Sequence, residues 1–366
     1  MALGPEQLDD FVACYLQKYP MGKWQDISSI LQEYMYASRI FDGANKRGMS
    51  TSQCKWKLKV DNNDNFQVVG LYHKDSSSRV NVLAEGSAKW GMTTTNYHYD
   101  LDEESFAQGA DAIVDYIDLQ EQGMMQDYMT GMENVMFGPG PSDSSVSPFP
   151  PLSLLHWITS TSDSAEENNA TEGFNGDAPV GWADVGGINP ATYDQWKNRT
   201  FRYTTVDRDD FVNKTIKSMD LCTFKPPVAR SDIKPEGKHR WELLTTYSRL
   251  EQLRLLLQLG NDNIKNDVAA FSGEVYVRGV PMNWVPAWTN SNSTNARTDG
   301  IVLGVDWNSF DWYYAKGRNM RKRKPFQHPE MSNVRVRKMD DSGQLVCYNR
   351  RANFRGYCTE TVTETT

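Results

Sequence analysis

The longest regular pattern in the sequence is an amphipathic repeat over residues 103–136. Apolar side chains recur at helical spacing through it, at Phe106, Ala110, Ile113, Ile117, Met124, Tyr128, Met132 and Val135. Such a helix would extend roughly 50 Å at 1.5 Å per residue, about three times the length of a typical globular helix. The pattern therefore predicts one long helix, and Gly109, Gly123 and Gly131 mark positions where it can bend.

Charge is segregated between this helix and the last part of the chain. Residues 102–138 contain nine acidic side chains and no Lys or Arg, whereas residues 316–355 contain twelve Lys or Arg and three acidic residues. The two segments can complement each other within or between subunits, with Asp111, Asp115, Asp118, Arg321 and Arg323 as the expected contacts. Aromatic residues precede the basic cluster, so phosphate binding is an open alternative.

Residues 49–100 predict a projecting pair of β-strands. Residues 54–60 alternate in polarity, residues 66–72 and 80–83 are rich in β-formers, and residues 61–64 and 75–78 have turn chemistry. A two-stranded hairpin is marginal alone in water, so we expect it to contact another chain. The aromatic and apolar anchors predicted for that contact are Trp56, Phe66, Val68, Tyr72 and Trp90.

The remaining chain predicts a short helical arm and a mixed α/β region. Helices are expected over 207–221, opening with an Asp-x-x-Asp capping pattern, and over 245–259. Strand pairs are expected around two turns, at residues 278–281 and 340–343. The glycine-rich run at 181–188 lacks the order of a phosphate-binding loop, so a tight turn is the prediction.

The sequence offers no catalytic constellation. The five histidines lie far apart without metal-ligand spacing, no GxSxG elbow occurs, and no cofactor is expected. Five spread cysteines without a CxxC pair indicate reduced thiols. No apolar stretch reaches the 18 or so residues that span a bilayer, so no membrane is expected among its partners. A hydrolase or a glycan-binding protein is the outside alternative.

Specific motifs in the second half carry a resemblance to one family. They are Val185-Gly186-Gly187-Ile188 with Tyr193 and Trp196, Phe224-Lys225-Pro226-Pro227, Asn261-Asp262-Asn263 with Asn266-Asp267, Val277-Arg278-Gly279-Val280-Pro281 with Trp284-Val285-Pro286, and Val346-Cys347-Tyr348-Asn349-Arg350-Arg351. With the order of elements above, they resemble the major capsid protein of tailed bacteriophages. The resemblance implies an α+β fold of the Hong Kong 97 type.

In that fold the resemblance implies an N-terminal arm (1–48), an extended hairpin or E-loop (49–100), the spine helix of a peripheral domain (101–137), an axial domain (138–315), and return strands with a tail (316–366). It implies a viral structural protein without enzymatic activity. Pentamers and hexamers would form an icosahedral head, assembled in the host cytoplasm, around double-stranded DNA bound without sequence specificity. Expected partners are further copies of the chain and separate scaffolding, portal and decoration proteins. An encapsulin-type nanocompartment shares the fold and is the alternative.

Overall fold

Two large β-sheets and one long helix organise the chain. The computed structural model describes residues 31–42, 45–61, 65–72, 74, 82–100, 110–160, 172–223, 240–259, 275–289 and 300–358. Within this part the strands are β1 Asn45–Met49, β2 Cys54–Lys59, β3 Leu83–Ala88, β4 Gly91–Asp100, β5 Gly173–Gly176, β6 Asn198–Tyr203, β7 Trp241–Thr245, β8 Val275–Val277, β9 Val280–Trp284, β10 Val302–Asp306, β11 Phe310–Ala315, β12 Arg321–Lys322, β13 Phe326–Gln327, β14 Val334–Cys347 and β15 Phe354–Cys358.

The first sheet is built around β14. Strand β4 pairs with the first ten residues of β14, from Val334 to Gly343, and β11 pairs with its end. Strand β1 lies parallel to β11, and the short strands β12 and β13 pair with β14 beside it. Strand β11, which the sequence analysis assigns to the axial domain, thus lies in one sheet with the return strands.

The second sheet has the strand order β5-β6-β15-β10-β7-β9-β8. Its central strand β10 is buried along its whole length, as a strand covered on both faces requires. Strands β2 and β3 form a separate antiparallel pair in which Trp56 is opposite Gly86. One core cluster joins the hairpin, the long helix and the first sheet, and a second cluster lies on the β6, β7 and β15 side.

The helices in this part are α1 Ala110–Phe137, α2 Leu154–Trp157, α3 Asn213–Cys222, α4 Tyr247–Leu259 and α5 Pro286–Thr289. Helix α1 has 28 residues and a length of roughly 42 Å. Its end lies within one residue of the prediction, whereas residues 101–109, where its start was predicted, lie outside the described residues. The predicted stripe is buried at Met124, Tyr128 and Met132.

The predicted cap at Asp207 is confirmed. Its side chain accepts a hydrogen bond from the Asp210 amide at 2.6 Å, at the start of the π-helical turn Arg208–Val212 that continues into α3. The predicted turn after β8 is also present but tighter than expected, because only Arg278 and Gly279 separate the strands. Both have positive φ angles, as a two-residue hairpin turn requires.

The turn predicted at residues 340–343 is wrong, because β14 continues through it as one strand of 14 residues. Tertiary contacts at two positions, Asp341 and Gly343, keep these residues in the strand. The buried carboxylate of Asp341 accepts hydrogen bonds from the Tyr128 hydroxyl at 2.7 Å and the Met320 amide at 3.1 Å. At Gly343 a Cβ would lie 2.1 Å from the Trp312 ring, so glycine is needed for close packing here and not for a turn.

Four cysteines, Cys54, Cys222, Cys347 and Cys358, are free and buried, and Cys14 lies outside the described residues. Burial raises the pKa of the Cys54, Cys222 and Cys347 thiols to about 12, so these side chains behave as small apolar groups. Among the described helices, none has the length and apolarity needed to cross a bilayer.

Candidate assembly surfaces

The base of the β2–β3 hairpin packs into its own subunit. Cys54, Trp56 and Ala88 belong to the main core, and Trp56 is 5% exposed. Its ring makes an edge contact with Trp157 at a centroid distance of 6.0 Å, and the Ser87 amide donates to the Gly186 carbonyl at 2.8 Å. The Trp56 ring is therefore covered within its own chain, and its contact with a second chain stays a prediction.

The tip of this hairpin has the opposite character. The described residues 65–72 form no strand, so the prediction of a β-strand carrying Phe66, Val68 and Tyr72 on one face is wrong. These three side chains are 90%, 89% and 103% exposed, and Leu71 is 94% exposed. With Val69, five large apolar side chains within seven residues are exposed to solvent, which suits contact with a partner. Phe66, Val68 and Tyr72 stay predicted assembly contacts.

Trp90 lies where the hairpin meets the first sheet. Its ring is half-buried, and its Nε1 donates a hydrogen bond to the Thr51 carbonyl at 2.9 Å. This contact fixes the Nε1 edge of the ring. Trp90 also stays a predicted assembly contact.

The acidic helix contacts the basic strands within one subunit. Asp111, Asp115 and Asp118 lie on α1, but their side chains are outside the described part. Glu121 on the same helix accepts from the Lys322 ammonium and pairs with Arg337 at 3.0 Å. The hydrogen bond from Lys322 holds the pKa of Glu121 below its ordinary value, although partial burial opposes this.

Three further cations of the basic strands share Asp340. Arg321 lies 3.5 Å from this carboxylate, Arg323 donates to it, and Lys338 lies 3.5 Å away. Burial alone would raise the pKa of Asp340, but the hydrogen bond from Arg323 and the nearby cations lower it. Five cations, Arg321, Lys322, Arg323, Arg337 and Lys338, thus surround two carboxylates, Glu121 and Asp340. The surplus of positive charge leaves this face able to attract an anionic partner.

The described residues offer few groups suited to catalysis or metal binding. No group of three or more His, Cys, Asp or Glu side chains there could hold a metal ion. His156 is 1% exposed, and its ring makes edge contacts with Trp157 and Trp182. Burial lowers the pKa of this imidazole to about 3, so it stays neutral and packs as part of the core.

Arg350 is a central residue whose role the sequence did not reveal. It is fully buried and donates to the Trp157 carbonyl at 2.7 Å, the Trp196 carbonyl at 2.9 Å and Asn198 Oδ1 at 3.0 Å, with further contacts to Thr159 and Asp177. These acceptors are all uncharged oxygens, and burial lowers the guanidinium pKa to about 10. The planar, many-donor guanidinium suits this arrangement, because five donors can satisfy several carbonyls together.

Two of the motifs that carry the family resemblance meet around this arginine. Trp196 accepts from Arg350 through its carbonyl and donates its Nε1 to the Val185 carbonyl at 3.0 Å. Residues 185–188 form the predicted tight turn, in which Val185 and Ile188 pair with each other. Gly186 and Gly187 have φ angles of +62° and +78°, and a Cβ on Gly186 would lie 2.7 Å from the Trp157 ring. Two motifs distant in sequence therefore form one structural junction.

Comparison with known proteins identifies the fold. No family model matches the sequence, and no curated protein matches it. Among solved structures, the capsid asymmetric unit of cyanophage A-1(L) matches with a TM-score of 0.60 and 13% identity, covering 96% of this chain and 99% of that one. The capsid of the native GTA particle matches with a TM-score of 0.53 and 8% identity over 95% and 99% of the two chains. A chain of Gordonia phage Cozz gives 0.53 and 9% over 94% and 92%.

These similarities extend over nearly the whole of each chain. The predicted α+β fold of the Hong Kong 97 type, that of tailed-phage capsid subunits, is confirmed. The identities of 13% and below show the fold alone.

Proposed function

We propose that this chain is the major capsid protein of a tailed bacteriophage. Copies of it would assemble into pentamers and hexamers of an icosahedral head that encloses double-stranded DNA. The observation that carries the proposal is the match to phage capsid subunits over 96% of this chain and 99% of the cyanophage chain. A match of this extent accounts for the whole architecture and supports a structural role over an enzymatic one.

The exposed surfaces support assembly with further copies. The apolar side chains of the tip would stay in contact with water in a monomer. Truncation of an aromatic anchor at the centre of an interface can cost about 2 kcal/mol or more. The cation-rich face of β12 and β14 would contact acidic groups of a neighbouring copy or the phosphates of packaged DNA. Scaffolding, portal and decoration proteins complete the proposed partners.

An encapsulin-type nanocompartment, which would hold enzymes instead of DNA, is the second candidate. The structural neighbours described above are phage and GTA capsids, which favours the viral shell. The two candidate shells would enclose different contents, DNA or enzymes, but would assemble through the same kinds of contact.

Negative-stain microscopy and light scattering of the purified chain over a range of concentrations test the proposal. We expect capsomer rings or closed shells without any added cofactor, because the apolar tip and the unpaired strand edges would otherwise stay exposed to solvent. A monodisperse monomer at every concentration would contradict it. Analysis of particle content separates the candidates: a discrete enzyme cargo without nucleic acid would contradict the viral assignment.

Ionic strength tests the charged surfaces separately. At 1 M salt the screening length falls to about 3 Å, which leaves only close or buried ion pairs effective. We therefore expect the shells to be less stable at 1 M salt than at low salt. Shells of equal stability in both would show that charge contributes little to assembly.

A further inference from the structure

Strand β4 is a long edge strand of the first sheet. It extends over ten residues, Gly91–Asp100, and in the described part of the chain it pairs with β14 on one side only. Its sequence contains no Lys, Arg or Pro, and its one charged residue, Asp100, is the last. Natural proteins protect exposed edges with such residues or by keeping the strand short, because an unpaired edge accepts a further strand. Strand β4 has neither protection.

The other described edges of the two large sheets are short or charged. Strand β1 has five residues, among them Lys46 and Arg47. Strands β12 and β13 have two residues each, and Pro325 lies between them. Strands β5 and β8, at the two ends of the second sheet, have four and three residues. Strand β4 therefore differs from every other described edge in combining length with the absence of cations and proline.

The hydrogen bonds of β14 show which residues of β4 point outward. The Lys338 carbonyl accepts from the Arg323 amide at 2.8 Å, and the Ser342 amide donates to a carbonyl at 2.9 Å on the same side. The even-numbered residues of β14 thus face β12. Adjacent residues of an antiparallel ladder point to opposite sides, so the odd-numbered residues of β14 bond to β4. Their partners on β4 are also odd-numbered, which leaves the even-numbered residues of β4 pointing outward.

Three of these outward residues have no backbone partner. The Met92 amide donates to the Phe149 carbonyl at 3.4 Å, which agrees with the outward direction and occupies that end of the strand. The backbone amides and carbonyls of Thr94, Asn96 and His98 make no hydrogen bond with the residues that the structure describes. Their side chains are exposed. This stretch therefore offers three donors and three acceptors to a further strand.

We propose that β4 pairs with β4 of a second copy, antiparallel about a two-fold axis at Asn96. In this register Asn96 lies opposite Asn96 of the partner subunit, and Thr94 lies opposite the partner's His98. Each outward amide and carbonyl then has a partner, and two first sheets become one continuous sheet. The proposal rests on the proposed function, because it names one of the contacts through which copies associate.

A second copy of the same strand meets the requirements of a partner. It brings an edge of equal length with the same free donors and acceptors, and a two-fold pair satisfies both copies at once. No charged side chain lies at residues 91–99, so like charges do not meet across the axis. The side-chain amides of two opposed Asn96 residues can donate to and accept from each other. The two copies of Lys338, which lies opposite Asn96 on β14, stay three strand spacings or about 14 Å apart.

The opposite face of β4 keeps its packing in such a pair. Tyr97 is 6% exposed in the main core, and Arg337 donates to its hydroxyl at 3.4 Å. Arg337 also pairs with Glu121, so helix α1 lies on this face. A two-fold axis perpendicular to the sheet places α1 of both copies on the same face. The added strand therefore displaces neither helix from its own sheet.

Single cysteines on β4 test the pairing. The background is Cys14→Ser, because the other four native cysteines are buried. Opposed residues of a hydrogen-bonded pair have Cα atoms about 5.5 Å apart, which is within disulfide range. Asn96→Cys should therefore form a linked dimer under mild oxidation, seen as a doubled mass on non-reducing electrophoresis. Thr94→Cys or His98→Cys alone should stay unlinked, since each lies about 14 Å from its own copy.

A mixture of two variants tests the register. Thr94→Cys chains mixed with His98→Cys chains should give the linked dimer that neither gives alone. This arm can be read even if Asn96→Cys fails to fold. Equal linkage by all three single variants would indicate random collision and would overturn the register. An absence of linkage in both arms would overturn the pairing, as contact of this edge with a different segment of another copy would produce.

A charge at the axis tests the contribution of the contact to association. Asn96→Lys opposes two like charges there and leaves the hydrogen bonds to β14 in place, so the associated fraction measured by light scattering should fall several-fold. Gln327→Lys adds the same charge to an exposed position on the opposite edge of the sheet and should keep the wild-type fraction. Equal association by both variants would contradict the proposal.

The outcomes separate this proposal from the proposed function. Shells or capsomer rings that form from Asn96→Cys chains without linkage would overturn the β4 pairing and leave the capsid function in place. A linked dimer that never grows into rings or shells would support the pairing and contradict the capsid function.

Discussion

The base and the tip of the β2–β3 hairpin belong to one excursion of the chain but have opposite surroundings. At the base, Trp56 is 5% exposed and packs on Trp157. At the tip, Phe66 is 90% exposed and Leu71 is 94% exposed. Both ends have large apolar side chains, so composition does not distinguish them. The difference shows that the base of the hairpin is anchored within its own chain, whereas the described apolar side chains of the tip lie in solvent.

Removal of the Trp56 side chain should have the largest effect on the folded subunit. Trp56→Ala leaves a cavity between the hairpin and Trp157 and should lower the free energy of unfolding by about 3–5 kcal/mol. Chemical denaturation of the unassembled subunit measures this. The half-buried Trp90→Ala is the control and should cost clearly less. Equal losses would show that the deeper burial of Trp56 adds no stability beyond that of the half-buried Trp90.

Two glycines on the same hairpin extend the comparison between its base and its tip. A Cβ on Gly86 would lie 2.3 Å from the Trp56 ring, whereas a Cβ on Gly70 at the tip would meet nothing within 4 Å. Gly86→Ala should therefore cost about 1–3 kcal/mol of stability through overpacking. Gly70→Ala should change the free energy of unfolding by less than about 0.5 kcal/mol. Similar losses at both positions would contradict the close packing at the base.

Replacement of the apolar tip should have the smallest effect on subunit stability and a clear effect on assembly. Phe66→Ser with Leu71→Ser removes two solvent-exposed side chains, so each should change the free energy of unfolding by less than about 0.5 kcal/mol. The assembled fraction, measured by light scattering, should fall because an interface loses its anchors. Normal assembly by this variant would show that the tip is not an assembly contact.

Local patterns predicted elements whose causes are local. The Asp207 cap and the tight turn at residues 185–188 follow from side chains and glycines within a few positions of one another. The end of α1 follows from the glycines and prolines at residues 138–141. These features need no knowledge of the tertiary fold.

Other features depend on distant partners and were not predictable. Asp341 and Gly343 have the composition of a turn, but Tyr128 and Trp312 fix them in a strand. Trp56 was expected to be exposed because its cover, Trp157, lies about one hundred residues away. Glu133 has the same acidic sequence context as the exposed Asp127 of α1, and no local signal shows that the Met35 and Tyr36 amides lie against it.

Arg350 also has a consequence for protein synthesis. Its acceptors at Trp157 and Asn198 precede it by 193 and 152 residues. At 5–20 residues per second, a ribosome needs roughly 8–30 s to translate the intervening 152 residues. During that time the ribosome has synthesised the hairpin and the acceptor residues but not yet Arg350, whose guanidinium joins the acceptors. The junction around Arg350 can therefore close only after residue 350 has been translated.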